Sequence, residues 1–129
     1  LAGIINGLPT HKNILGFSSL KGGAFLSDEI NQWLKNPSDN WKVITDYHFG
    51  GYGKVTDELI AFINEFYLKY QIPLDPIYTG KMMFGIMNLI ENNYFPPNSK
   101  IVAVHTGGLQ GIAGMNKALE KKGKTKIIL

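Results

Sequence analysis

Lys100-Ile101-Val102-Ala103-Val104-His105-Thr106-Gly107-Gly108 decides how the rest of this chain is read. Four consecutive apolar residues, bounded by polar and turn-forming ones, fit a short strand buried on both faces. The glycines open a loop, and a helix is expected from about Leu109 to Lys121. The same alternation recurs towards the start of the chain. Asn13-Ile14-Leu15-Gly16-Phe17 predicts a buried strand, followed by a helix capped at Ser27, with Asp28 and Glu29 in its first turn, Ile30, Trp33 and Leu34 facing inward, and Asn36-Pro37 as its stop. Trp41 to Thr45 alternates as a second strand. Thr56 caps a longer amphipathic helix through Leu59, Ile63, Phe66 and Tyr70, which ends at Ile72-Pro73. Residues 80–93 have almost no polar face and predict a largely buried helix, whose methionines are read as core filling. Lys126-Ile127-Ile128-Leu129 adds a candidate last strand. The expected class is α/β, a parallel sheet layered between helices in αβα order.

Composition narrows the functions available. The chain has 129 residues, 44% hydrophobic and 18% charged, which suits one folded domain. Its net charge of +3 comes from the tail, because residues 117–126 hold five lysines against Glu120 alone. Residues 1–116 carry eight lysines and nine acidic residues, a net charge of −1. A basic tail on a near-neutral body is no footprint for nucleic acid, so no nucleic-acid partner is expected. All 13 basic residues are lysine, so an anion held here is held without a guanidinium fork, and backbone N–H groups are the expected anion binders. Cysteine is absent, which excludes disulfides, thiolate metal sites and thiol nucleophiles and fits a reducing cytoplasm. No run approaches the roughly 20 apolar residues of a membrane span, so no membrane partner is expected. Leu1 to Leu8 reads as a helix with no capping residue before it, and the chain is expected to be part of a longer protein.

Three glycine-bearing loops each lead into a helix: His48-Phe49-Gly50-Gly51-Tyr52-Gly53-Lys54, Pro76-Ile77-Tyr78-Thr79-Gly80-Lys81, and His105-Thr106-Gly107-Gly108. In open α/β sheets ligands gather at the carboxyl ends of strands, where such loops lie. Neither nucleotide motif survives inspection. Gly51-Tyr52-Gly53 lacks a third glycine, and Gly123-Lys124-Thr125 has Ala118 where a P-loop needs its first. His11, His48 and His105 have no carboxylate at metal spacing, and there is no Gly-x-Ser-x-Gly elbow. His105 is read as orienting a loop or as a catalytic group. A phenol at Tyr52 or Tyr78 can stack on a flat ligand or pass a proton, and from spacing alone packing is the commoner use. Thr106 places a short hydroxyl where a ring can approach the backbone, or caps the following helix. Lys54 and Lys81 lie at helix starts and are read as solvated amines, since a Schiff-base lysine needs desolvation.

Leu74 to Lys81 and Val104 to Gly111, supported by Gly16 to Gly23, resemble the carboxyl-terminal part of the pyridoxal-phosphate enzymes grouped as 1-aminocyclopropane-1-carboxylate deaminase and D-cysteine desulfhydrase. The resemblance is taken to cover essentially all 129 residues. It implies the tryptophan-synthase-β type of fold (fold type II), with pyridoxal 5'-phosphate between two α/β domains. It also implies that the Schiff-base lysine and phosphate loop lie outside this chain, the loop ending just before Leu1.

Carried over by this resemblance, Tyr78 is the active-site tyrosine and Tyr52 a second tyrosine lining the substrate pocket. Thr106, Thr79 and Gly107 fall at the cofactor, with the Thr106 hydroxyl against the pyridine nitrogen, where it tempers the ring as an electron sink. The deaminases it resembles carry Glu where this chain has Thr79 and lack the threonine after the histidine. These departures point to D-cysteine desulfhydrase-like α,β-elimination, giving pyruvate, ammonia and sulfide. The alternative is 1-aminocyclopropane-1-carboxylate deaminase, which opens the ring to 2-oxobutyrate and ammonia. The expected partners are a small amino-acid substrate and, by family analogy, a second copy in a homodimer. A stand-alone α/β module binding a small anion explains the glycines but not the paired tyrosines or the uncapped start, and a degenerate relative kept for structure or assembly is a third reading that only upstream sequence excludes.

Overall fold

The computed structural model describes residues 1–128. Its elements run α1 (Ala2–Gly7), β1 (Ile14–Phe17), α2 (Leu26–Gln32), β2 (Trp41–Ile44), α3 (Asp57–Tyr70), α4 (Thr79–Glu91) and α5 (Ile112–Lys121). β1 and β2 pair in parallel, from Ile14 opposite Trp41 to Phe17 opposite Ile44. The connection between them runs through α2, the arrangement parallel strands require. The class is therefore α/β, with a two-stranded parallel sheet among the described residues in place of the expected layered one.

Local chemistry accounts for the start of α3. The Thr56 hydroxyl accepts the Leu59 N–H at 3.2 Å and caps α3, with Asp57 and Glu58 at its positive end. α1 has no side-chain cap, as its sequence predicts. α2 departs from expectation. Gly22 adopts a left-handed turn (φ 74°) that feeds a 3-10 turn at Gly23–Phe25 directly into the helix. The first helical N–H groups are then part of a continuing spiral, and Ser27 lies inside the helix instead of capping it. Trp33 is 73% exposed and not inward-facing. The Asn6 amide takes the Lys35 N–H and donates to the Trp33 carbonyl, both at 2.9 Å, so the chain turns just where Trp33 would have packed.

The main core lies between α3, α4 and α5. Leu59, Ile60 and Ile63 meet Leu74, Ile112, Leu119 and Ile127, each nearly sealed from solvent and each contributing about 1.5–3 kcal/mol of burial. α4 joins this core to the sheet. Gly85 lets it approach, since a Cβ there would stand 2.6 Å from the Phe17 ring. Every residue of α4 up to Leu89 is buried or half-buried, as its composition predicts.

Two expected strands are not strands. Residues 100–104 pair with no strand, and Val102 and Val104 are 87% and 52% exposed. An apolar run becomes a strand only when neighbouring backbone takes its N–H and C=O groups, and no described segment does so here. Residues 126–128 are extended but held by side chains. Asn116 brackets Ile127 through its N–H and carbonyl, while Asn64 binds the Lys126 carbonyl and the Ile128 N–H, all at 2.8–2.9 Å. The last residue of that expected strand, Leu129, lies outside the described residues.

Candidate active site

Asp75 organises the loop that enters α4. It is 1% exposed, and its carboxylate collects four donors: the N–H groups of Ile77 (2.9 Å), Tyr78 (2.8 Å) and Thr79 (2.8 Å), and the Thr79 hydroxyl (2.5 Å). That hydroxyl also accepts the Asp75 N–H at 2.9 Å. Burial by itself raises the carboxyl pKa, but the hydrogen bonds from Thr79, Tyr78 and Ile77 outweigh it and hold the group below its ordinary value. Asp-Pro at 75–76 is an Asx-turn signature, the one sequence signal that marks this residue. Gly80 is required next to it, because a Cβ would lie 2.6 Å from the Asp75 carbonyl.

The other two glycine loops are drawn to this point. Gly108, in a left-handed conformation (φ 93°), packs on Asp75, where a Cβ would stand 3.2 Å from the carboxyl carbon. His105 fixes the same loop. Its Nδ1 accepts the Gly107 N–H at 3.1 Å, which leaves Nε2 protonated to donate to the Pro73 carbonyl at 2.9 Å. Of the two readings of His105, loop orientation is the one this geometry supports. The loop at 48–54 uses the same device, with Gly50 N–H donating to His48 Nδ1 at 3.0 Å. Lys81 then ties that loop to α4. Its ammonium donates to the His48 and Gly51 carbonyls, each at 2.9 Å, and it is 2% exposed, so the reading of a solvated amine is corrected. Helical spacing puts Lys81 on the inner face of a helix that has little else but inner faces.

Tyr52 and Tyr78, 26 residues apart, meet. The Tyr78 hydroxyl donates to that of Tyr52 at 3.2 Å, with ring centroids 6.1 Å apart and both rings open to solvent. The hydrogen bond to Tyr52, then burial and the charges of Tyr52 and Asp75, raise the Tyr78 pKa, so this group is a phenol at neutral pH and acts as a donor. Thr79 does not share that surface. Its hydroxyl is committed to Asp75 beneath the tyrosines. Thr106 is exposed with no hydrogen-bond partner among the described residues, and Gly107 beside it (φ 83°) faces open space. Tyr52, Tyr78 and Thr106 are all exposed. Two shallow concavities elsewhere, one lined by Ile5, Asn6 and Lys35 and one by Ile90, Phe95 and Ile101, include none of them.

The described residues form one arrangement, the Tyr52–Tyr78 pair beside glycine loops anchored at Asp75 and Lys81. Comparison with known proteins gives it a direction. The chain is 41% identical over 66 residues to a Pyrococcus horikoshii protein provisionally named as a 1-aminocyclopropane-1-carboxylate deaminase. It is 36% identical over 77 residues to the 1-aminocyclopropane-1-carboxylate deaminase of Rhizobium rhizogenes, and 33% identical over 76 residues to that of a Bradyrhizobium species. These matches take in 51–60% of the chain, and the chain spans about a fifth of the length of the curated relatives it matches, 20–23%. No family model matches. The resemblance to these deaminases therefore holds, over about half the chain instead of the whole length expected. Among the described residues no helix is long and apolar enough to cross a membrane, and no cluster of metal-ligating side chains is present.

Proposed function

We propose that these residues form the carboxyl-terminal part of a pyridoxal-phosphate-dependent deaminase of small amino acids, with 1-aminocyclopropane-1-carboxylate as the leading substrate. The observation that carries this reading is the contact between Tyr52 and Tyr78, two open phenols that spacing left as separate packing residues. The names carried by the relatives favour the cyclopropane substrate over D-cysteine. The placement of Thr79 weakens one of the two departures that pointed to D-cysteine, since a hydroxyl spent on Asp75 shapes the loop and does not itself select a substrate.

The residues suit the cofactor. Thr106 offers a hydroxyl without an internal partner, and Gly107 leaves the neighbouring backbone uncovered, which is what close approach of a flat ring needs. Pyridoxal 5'-phosphate, when bound, supplies an electron sink for the substrate's α-carbon. A neutral threonine hydroxyl at the ring nitrogen holds a hydrogen bond without delivering a full charge. Tyr78, kept as a phenol, is placed to orient substrate and to move a proton at its hydroxyl oxygen, with Tyr52 holding that oxygen in position. Among the described residues Lys81 is the one buried lysine, and its amine is engaged by two carbonyls, so the cofactor-linking lysine belongs to residues outside these.

The D-cysteine desulfhydrase reading stands second, on the free hydroxyl of Thr106. One assay separates them: the full-length protein is given each substrate, with 2-oxobutyrate and sulfide measured in parallel and visible absorbance followed. Release of 2-oxobutyrate supports the first reading, sulfide the second, and a protein without visible chromophore or product removes both. Tyr78→Phe should then lower turnover at least about tenfold with the chromophore retained, as loss of a general acid–base group does; unchanged turnover removes Tyr78 from the chemistry.

A further inference from the structure

The single buried lysine is not used by the proposed chemistry, and it lies in the first turn of α4, three residues after Tyr78. Desolvating an ammonium is costly, so a buried one is kept only where strong acceptors surround it. Here the acceptors come from one turn. Phe49, Gly50 and Gly51 all have left-handed backbone, with φ of 52°, 94° and 122°. Three such residues in succession turn the carbonyls of His48 and Gly51 towards the same point, and Lys81 occupies it at 2.9 Å from each. The His48 carbonyl also closes the turn on itself, accepting the Gly51 N–H at 3.0 Å. Burial holds the Lys81 pKa below its ordinary value, and the charge of Asp75 offsets only part of that shift.

The residue after Gly51 is Tyr52. Its phenol meets Tyr78, and Tyr78 and Lys81 leave the start of the same helix, so two links, one from ammonium to carbonyls and one between phenols, join the loop to α4. The phenolic link is exposed and weak. The buried link is the one that can hold a geometry.

We propose that Lys81 is a positioning residue, whose buried ammonium fixes the 48–51 turn against α4 and thereby sets the contact between the Tyr52 and Tyr78 hydroxyls. The role of that contact in turnover rests on the deaminase reading; the contact itself does not.

The test titrates the phenols in full-length protein labelled with 13C at tyrosine Cζ, comparing the unsubstituted chain with Lys81→Met, Tyr52→Phe and the double variant. The direction of the shift is diagnostic. Removing a cation alone raises a nearby phenol's pKa, whereas separating the pair removes the main cause that raises Tyr78 and lowers it towards its ordinary value. Lys81→Met should therefore lower the Tyr78 pKa, by less than Tyr52→Phe does because the lost cation pulls the other way, and the double variant should shift no further than Tyr52→Phe. An unchanged or raised Tyr78 pKa in folded Lys81→Met overturns the proposal, as does an additive shift in the double variant. If Lys81→Met does not fold, Gly51→Ala decides. It strains the turn from the other side at φ 122°, leaves Lys81 intact, and must lower the Tyr78 pKa in the same way. A protein with no deaminase activity overturns the functional reading and leaves the titration result standing.

Discussion

The loops at His48-Phe49-Gly50-Gly51 and His105-Thr106-Gly107-Gly108 are built alike and used differently. In both, a histidine Nδ1 accepts the N–H of the glycine two residues on, at 3.0 and 3.1 Å, and both glycines that follow are left-handed. Their anchors have nothing in common. The first loop is held through its carbonyls by the buried Lys81 ammonium, and the second through the His105 ring on the Pro73 carbonyl and through Gly108 on Asp75. One presents a tyrosine to Tyr78, the other an open threonine hydroxyl. A short motif thus fixes the shape of a turn, and a residue far along the chain fixes where that turn is placed.

The comparison breaks most completely at Asp75, which supports the α4 entry directly and the second loop by contact. Asp75→Asn keeps one acceptor oxygen but faces the Thr79 N–H with an amide donor. It should cost the full-length protein about 2–3 kcal/mol at neutral pH by urea denaturation, the cost of an orphaned buried donor and a lost charged acceptor. The carboxyl's folded pKa lies below its ordinary 3.8, so its stabilisation is complete above that value and is lost as pH falls through the lower one. The variant should therefore show a flatter loss of stability in acid; an acid limb identical to the parent's shows that Asp75 gains nothing from its four donors.

A smaller effect separates the two glycines of the second loop. Gly107→Ala meets only the left-handed backbone, about 1 kcal/mol, because nothing lies within 4 Å of the added carbon. Gly108→Ala meets the same strain and the Asp75 carboxyl at 3.2 Å, and should cost about 2 kcal/mol. Equal losses on denaturation mean that the loop does not rest on Asp75.

The smallest effect sharpens the contrast in anchoring. His105→Ala removes the turn bond and the tie to Pro73, and should cost about 1–2 kcal/mol. His48→Ala removes the turn bond alone, about 0.5–1 kcal/mol, because Lys81 still holds the carbonyls. Amide hydrogen exchange should rise over 106–108 in the first variant and stay near the parent's over 49–51 in the second. The reverse order makes the histidine, not the lysine, the anchor of the first loop.

Much of the fold is legible in local chemistry. Thr56, Asp57 and Glu58 announce α3, the uncapped start of α1 is visible at once, and the apolar composition of 80–93 predicts a covered helix, which holds as far as Leu89. Those signals work because a cap or an apolar face acts within one or two turns. The expected strands at 100–104 and 126–129 misled for the same reason in reverse, since strand formation depends on a partner that periodicity does not name. At the site, Tyr52, Tyr78 and Thr106 were marked by their glycine neighbours, and the resemblance put the two tyrosines in one pocket, but the hydrogen bond between them was not legible, and Lys81 was read as solvated because a lysine at a helix start usually is.

Residue order alone carried the α/β class, the three turns, the lack of guanidinium and thiol chemistry in a chain without arginine or cysteine, and the likeness to a deaminase family held in short loop motifs. Each of these depends on residues within hydrogen-bonding reach along the chain. Tertiary structure alone decided that Thr79 turns down to Asp75, that Lys81 is buried under the 48–51 turn, and that two phenols 26 residues apart share a hydrogen bond. Those outcomes depend on which distant carbonyl, carboxylate or ring is left without water, and desolvation is a property of the packed molecule and not of any segment of it.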